Sequence, residues 1–485
     1  MCTQICVLCF GIIYFEFAMS SRSEKSTSKR PPQSKVLEKG IWGMSGPMFV
    51  DQAVTYTIPL VDMYFLSRIS DSAAAAVGAI TPLVFVANAF LIVSAFAGAS
   101  IASQRIGAND YARGNATIAA YAIFVVILAL IAGLSVNHGG PWVASAMSLS
   151  PDVEAYARTY LSIIGWMVAL WGCRVIYQTI LNIYGEPKWN TFSNIILFVA
   201  NIIGCSIAVY GFMGLPPTGV KGVAIASTIA AGCSLLFVMV IVHFKLRIHI
   251  PLREGLKNFT VLIAPVIMIA APSILEPMSF QAYMIALNWI AAEVGDLALK
   301  VKVYAYNTFL FCLMISIAIG MATEAIIAQR VGRGEFDLVN KQLKQSLKIS
   351  LIGTTILAFC WLLFNQPILK LFSSDPEVVA IGLWAFVLSF LAEPWRTVNI
   401  TVGSALRCTG DAAFTSISSI GVIWLFSVPL AYLLAIPCGL GLYGLLIAAI
   451  LDECIRALIK RWRWKQGKWK YTGIAAREAR LAISE

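Results

Sequence analysis

A chain of 485 residues that is 59% hydrophobic and only 13% charged, with a mean hydropathy of +0.79, needs lipid as its solvent over most of its length. The formal charge of +11 would suggest nucleic acid in a soluble protein, but here it sits in tails and loops, where it fits topology and anionic headgroups. Eleven scattered cysteines, most of them in apolar stretches, exclude a disulfide framework, and Cys6-Val-Leu-Cys9 has metal-like spacing without a second pair.

Residues 1–40 read as an N-terminal extension. Residues 2–19 are apolar, yet no basic residue precedes them and no small-residue cleavage site follows, so a signal peptide is weakly supported. Met19 opens a Ser/Lys/Arg-rich stretch that reads as a cytoplasmic tail, and Met1 and Met19 both remain open as starts. Twelve apolar segments of helical length then follow, roughly 41–66, 73–102, 115–136, 153–182, 190–212 and 220–244, then 258–291, 300–326, 345–364, 376–405, 412–436 and 441–464. The basic stretch 245–257 reads as a cytoplasmic linker between an N-lobe, 41–244, and a C-lobe, 258–464. Residues 465–485 form a C-terminal tail whose aromatic stretch Trp462-Arg-Trp464-Lys-Gln-Gly-Lys-Trp469 reads as an interfacial anchor.

The second half repeats the first at an offset of 225. Pro47 falls on Pro272, Asp51 on Glu276, Gln104-Arg105-Ile-Gly107 on Gln329-Arg330-Val-Gly332, Pro151 on Pro376 and Gly185 on Gly410. Duplication in a hydrophobic chain is a signature of secondary transporters. With the N-terminus inside, 26 of the 36 Lys and Arg residues lie in cytoplasmic tails and loops, which puts both termini in the cytoplasm. Six spans per half make the repeats parallel. The expected fold class is an all-α membrane protein of twelve transmembrane helices in two parallel six-helix repeats.

No G-x-x-x-x-G-K-[ST], G-x-S-x-G or H-E-x-x-H pattern occurs, so the chain reads as neither an ATPase nor a hydrolase, and no cofactor or metal is expected. A coupling ion is the remaining energy source, and the acids within spans are where it would bind. A carboxylate at the bilayer centre costs about 2.5–3.5 kcal/mol on insertion scales. Desolvation favours the neutral acid, so such a group can carry a proton, while its ionised form attracts a cation. Asp51 and Asp62, eleven residues apart, share a face of the first span, and Asp51 matches Glu276 across the repeat. Helix–helix hydrogen bonding is the competing account of these acids. Glu393 and Arg396 can pair on one face, with Asn399 beyond them, as a structural ion pair or as a coupling site. Arg174 can balance a neighbouring acid, and Asn194 and Asn201 lie on one face of the fifth span, lining a cavity or bonding between helices. Neutralising Asp51 or Asp62 should stop transport while leaving stability unchanged or higher.

Val61-Asp62-Met-Tyr-Phe-Leu-Ser-Arg68 with Ala75-Ala-Val-Gly78, Gln104-Arg105-Ile-Gly107-Ala, and Leu406-Arg407-Cys-Thr-Gly410-Asp411 resemble, in order, motifs of the multidrug and toxic-compound extrusion (MATE) transporters. Glu393 to Asp411 and Asp452-Glu-Cys-Ile-Arg456-Ala look closest to the DinF-type branch. The resemblance covers about residues 36–470. It implies a monomeric antiporter of the bacterial inner membrane that exports organic, often cationic or amphipathic compounds in exchange for protons or sodium. It also implies that Asp62 matches a helix-1 aspartate used in ion coupling or substrate binding, and Asn201 a helix-5 asparagine near it. Where the sodium-coupled NorM-type branch carries acids in helices 7 and 10, this chain has Gln281 and Arg396, which favours protons over sodium. The expected partners are therefore a small organic substrate, protons and membrane lipids, with no nucleic acid. The alternatives are a flippase for a lipid or lipid-linked saccharide and a regulatory membrane protein that transports nothing.

Overall fold

The computed structural model describes residues 32–147, 149–212, 216–372 and 376–473. The readings made for Cys6 to Cys9, for the start at Met1 or Met19 and for residues 474–485 lie outside the described residues.

Every regular element of the described residues is helical. Twelve long helices run in chain order: α1 Val36–Ile69, α2 Asp71–Gly107, α3 Tyr111–Ala146, α4 Pro151–Ile183, α5 Lys188–Tyr210, α6 Gly219–Lys245, α7 Phe259–Val294, α8 Asp296–Gly332, α9 Phe336–Leu363, α10 Pro376–Cys408, α11 Ala412–Ala435 and α12 Gly441–Lys465. A six-residue helix, Leu252–Lys257, lies between the sixth and the seventh. Six long helices on each side of it give the twelve-helix, two-repeat architecture expected from the sequence. Ten of the twelve are apolar enough to cross a membrane by length and composition, all but α1 and α12. Those two carry many of the buried charges described below.

Local chemistry sets the helix boundaries. Ser70 accepts a hydrogen bond from the Ala73 amide at 3.0 Å and caps α2, while Asp110 caps α3 through the Arg113 amide at 3.0 Å. Asn109 (φ 64°) and Gly334 (φ 72°), 225 residues apart, both take the left-handed turn after a buried glutamine, Gln104 or Gln329. Gly185 (φ 75°) and Gly410 (φ 92°) are the equivalent pair after α4 and α10. A Cβ on Gly185 would lie 2.6 Å from the Val36 amide nitrogen, and one on Gly410 2.6 Å from the Thr472 carbonyl oxygen. Each glycine thus admits backbone from near one end of the chain.

The chain divides into two compact units. Of the described residues, one holds 32–40 and Val50–Ile267; the other holds Ile41–Phe49 and those from Met268 to residue 473. Within the first, Phe65, Leu66, Tyr160, Leu161 and Val223 belong to a core where α1, α2, α4 and α6 meet. Gly133 and Gly165 let α3 and α4 approach until a Cβ on Gly133 would sit 2.6 Å from the Gly165 carbonyl oxygen. Within the second, Phe309 and Phe386 meet edge to face at 5.5 Å between α8 and α10.

The aromatic tail differs from its expected role as an interfacial anchor. Trp464 and Trp469 are buried, stacked at 4.4 Å, and the Trp469 indole donates to the Trp464 carbonyl at 3.1 Å. Gly467 (φ 70°) makes the left-handed turn that folds the chain back over itself, so only Trp462 stays exposed.

Candidate functional site

In the first unit, Asp51 is buried where α1 meets α4 and α5. The Gln178 amide donates to its Oδ2 at 3.0 Å, and the Asn194 amide donates to its Oδ1, to its backbone carbonyl at 3.2 Å and to Thr55 Oγ1 at 2.9 Å. Arg174, also buried, donates to Asn194 Oδ1, so the asparagine bridges carboxylate and guanidinium. The Arg174 Nε further donates to Ser234 Oγ at 2.8 Å, and its guanidinium lies 4.7 Å over the Trp171 ring. Asp51, Arg174 and Asn194, three residues singled out in the sequence, thus form one network; Gln178 and Ser234 join it without having been foreseen.

Asp62 sits farther along α1 in a different setting. The Cys205 thiol reaches its Oδ1 at 3.6 Å, and Asn201, four residues earlier on the same face of α5, reaches the same carboxyl. Asn201 Nδ2 also donates to Ser227 Oγ at 3.1 Å, while its buried Oδ1 has no hydrogen-bond partner. Among the described residues no Lys or Arg forms an ion pair with Asp62. Asp51–Asn194 and Asp62–Cys205 share a sequence separation of 143, so α1 lies along α5 in one register at both acids. Asn194 and Asn201 therefore serve two separate acids and do not form one site.

The repeat keeps that register in the second unit. Ser419 Oγ donates to Glu276 Oε1 at 3.0 Å, again across 143 residues, so Ser419 stands where Asn194 stands in the first repeat. The rest of the environment is exchanged. Gly403 occupies the place of Gln178, and Lys460 Nζ would lie 3.2 Å, and Arg407 Nη1 3.4 Å, from a Cβ built on it. Through the space that glycine leaves, Lys460 reaches Glu276 Oε1 at 3.3 Å and Arg407 reaches Oε2 at 3.8 Å. The sequence-level equivalence of Asp51 and Glu276 is therefore geometric and not chemical. Asp51 is held by amides, Glu276 by two cations.

Glu393, Arg396 and Asn399 also come together. Arg396 pairs with Glu393 and, at 3.4 Å, with Glu453 of α12; Asn399 Nδ2 donates to Glu453 Oε2 at 2.8 Å. Arg456 continues the chain, pairing with Glu453 at 3.1 Å and with Asp452, whose Oδ1 accepts from Ser427 Oγ at 2.5 Å. Ser427 ends a π turn, Ile423–Ser427, next to Pro429, a turn that interrupts the regular ladder of α11. Glu276, Glu393, Asp452 and Glu453 are thus matched by Arg396, Arg407, Arg456 and Lys460. The α12 members were missed as site residues, although 452, 456 and 460 recur every fourth residue and mark one charged face in a span otherwise read as apolar. Among the described residues no three His, Cys, Asp or Glu side chains gather as metal ligands.

The model of one transporter family, MatE, matches residues 47–207 and, again, residues 272–433. The chain belongs to the MatE family. The two matches begin 225 residues apart, the offset read from the landmarks. An uncharacterized transporter of Bacillus subtilis, YisQ, is 27% identical over 93% of this chain and 99% of its own length. A probable multidrug resistance protein NorM of Shewanella oneidensis is 26% identical over 85% of this chain and 92% of its own. The solved structure of a MOP superfamily transporter from Pyrococcus furiosus superposes with a TM-score of 0.80 at 18% identity, covering 92% of this chain and 99% of that one. A MATE crystal structure in the bent conformation gives 0.81 at 19%, covering 90% and 96%. This MATE-family chain is accordingly a multi-pass membrane transporter of a multidrug-efflux family, and not an enzyme.

Proposed function

We propose that this MATE transporter is a proton-coupled antiporter of the DinF-type branch, exporting organic cationic or amphipathic compounds by alternating access of two lobes, 41–244 and 258–464. We place it as a monomer in the bacterial inner membrane with both termini in the cytoplasm. The observation that carries the reading is Asp62: a carboxyl within a membrane helix whose neighbours, Cys205 and Asn201, are neutral. When ionised, it is a charge free to attract a cationic substrate. When protonated, its O–H has an acceptor in Asn201 Oδ1, whose lone pairs are otherwise unused. Proton uptake from outside would weaken the hold on a cation, and proton loss inside would restore it, giving exchange without ATP.

The second unit supports protons over sodium as the coupling ion. Sodium needs carboxylate or carbonyl oxygens not already committed to bases, and Glu276, Glu393, Asp452 and Glu453 each face an Arg or a Lys. Asp51 with Arg174 would hold α1 to α4 and α5, and Glu393, Arg396 and Asn399 would order the second unit. The Pyrococcus relative is described as having a binding pocket of reverse polarity that suggests a different function. A lipid or lipid-linked saccharide flippase is the corresponding alternative here, and the bases Arg396, Arg407, Arg456 and Lys460, the last two of them buried, are what would favour it; each, however, lies against an acid.

The test is transport by the purified protein in proteoliposomes, with proton and sodium gradients imposed separately. Export of an organic cation should follow the pH gradient in sodium-free buffer and stop in Asp62→Asn. Transport that requires sodium and ignores the pH gradient would defeat the coupling assignment, and lipid scrambling without cation export would favour the flippase.

A further inference from the structure

A second cluster of charge lies at the ends of α1, α5 and α6, away from all of these acids. Glu186, in the turn after α4, receives three ammonium groups: Lys35 at 3.4 Å, Lys39 at 3.3 Å and Lys188 at 3.4 Å. Lys188 Nζ also lies 5.4 Å from the Trp189 ring centre, and Lys245 Nζ lies over the same ring at 4.1 Å. The lysines of this connected group thus outnumber its carboxylate four to one. Glu186 is buried, whereas the Lys35 and Lys188 side chains are more than half exposed. Burial pushes the Glu186 carboxyl up, but Lys39, Lys188 and Lys35 together hold it below the usual carboxylate range, so it remains ionised and the surplus is about three positive charges. Phe192, tilted against Trp189 with ring centres 5.7 Å apart, and Phe244, next to Lys245, are exposed, as side chains at a headgroup boundary are.

We propose that Lys188 and Lys245, with Trp189 as a floor between them, bind the phosphate of an anionic phospholipid in the leaflet on the N-terminal side of the membrane. The surplus charge calls for an anion, and the exposed phenyl rings beside it call for one that carries acyl chains. Glu186 competes with that phosphate for Lys188, and through Lys35 and Lys39 the same carboxylate holds the start of α1. Headgroup binding is thereby linked to how the chain entering α1 is held. The site involves neither Asp51 nor Asp62, so it stands or falls independently of the coupling ion.

Native mass spectrometry of the full chain in neutral detergent, titrated with phosphatidylglycerol, phosphatidylcholine or free glycerol phosphate, tests the site. Phosphatidylglycerol should bind preferentially, and Lys188→Gln with Lys245→Gln should weaken its first binding step by roughly 30-fold, about fivefold per ammonium. Replacing the same two lysines by Arg should keep the affinity, and Glu186→Gln should tighten it. Lys300→Gln with Lys370→Gln, one in the first turns of α8 and the other in the short helix Asn365–Phe372 after α9, both outside the unit that holds Trp189, should change nothing. Parental affinity in the double Gln variant, phosphatidylcholine binding as tightly as phosphatidylglycerol, or free glycerol phosphate binding as tightly as the lipid would each overturn the proposal. If the double variant does not fold, the fivefold loss expected of Lys188→Gln alone decides.

Discussion

Replacing Arg456 by Leu removes the base that pairs with Asp452, and the consequences for its two acids differ. Glu453 would keep Arg396 at 3.4 Å and the Asn399 amide at 2.8 Å, whereas Asp452 would keep only the Ser427 hydroxyl at 2.5 Å. Asp452 is buried, so its charge would lose its pair without gaining water. Breaking a buried ion pair from one side costs about 3–5 kcal/mol. The entropy of unfolding scales to about 1 kcal/mol per kelvin for a chain of 485 residues unfolding as one body, so Tm should fall by about 3–5 °C. Thermal denaturation in detergent, followed by loss of the monodisperse size-exclusion peak, gives the number. Adding Asp452→Asn to Arg456→Leu removes both members of the pair and should recover roughly half of the loss, which makes the pair a double-mutant cycle. A drop below about 1 °C in the single variant, or a double variant as unstable as the single one, would refute the claim that this chain of charges stabilises α12.

Three further outcomes are expected. Asp62→Asn should abolish gradient-driven export at unchanged Tm, while Asp51→Asn should lower Tm because Arg174 loses the acid to which Asn194 bridges it; equal behaviour of the two variants would mean that their environments do not matter. Glu186 titrates below the ordinary carboxylate range in the folded chain, so its contribution is complete above about pH 4.3, the unfolded value, and is lost as pH falls through the lower folded one. The Tm gap between parent and Glu186→Gln should therefore be flat from pH 7 to about 5 and close below about 4.3, and a gap that closes above pH 6 would contradict this. Gly185→Ala places a Cβ 2.6 Å from the Val36 amide nitrogen at φ 75°, where backbone and not a movable side chain is met, and Tm should fall by at least about 1 °C.

The duplication, and with it the helix count, was legible because it rests on single residues with strict backbone roles. Pro151 and Pro376 open helices, and Gly185 and Gly410 occupy the left-handed region wherever the repeat is copied. Chemistry at the copied positions was not legible from the offset alone. Reading Glu276 as a second Asp51 ignored Gly403, the residue in the place of Gln178. A missing side chain carries no signal until the structure shows what fills the space. Lys460 and Arg407 fill it, the first from within a span read as apolar and the second from the turn motif after the tenth span. The expectation that neutralising Asp51 lowers an insertion cost failed to weigh the same kind of partner, since a buried acid bridged to a buried guanidinium is no longer a lone charge.

The two repeats thus share one helix register and divide their chemistry. The separation of 143 residues recurs at Asp51–Asn194, Asp62–Cys205 and Glu276–Ser419, so α1 packs on α5 as α7 packs on α11. Leu287 stands at the position that corresponds to Asp62, so the second repeat has no second copy of that acid. An acid without a basic partner occurs at that register on one side only, while Glu276, Glu393, Asp452 and Glu453 of the other side are balanced by bases. A charge that changes during a transport cycle needs surroundings that do not already fix it, and a body that moves as a unit needs charges that stay paired. Those physical grounds are what favour Asp62 of the first repeat as the proposed proton carrier, with the paired charges of the second holding that unit together.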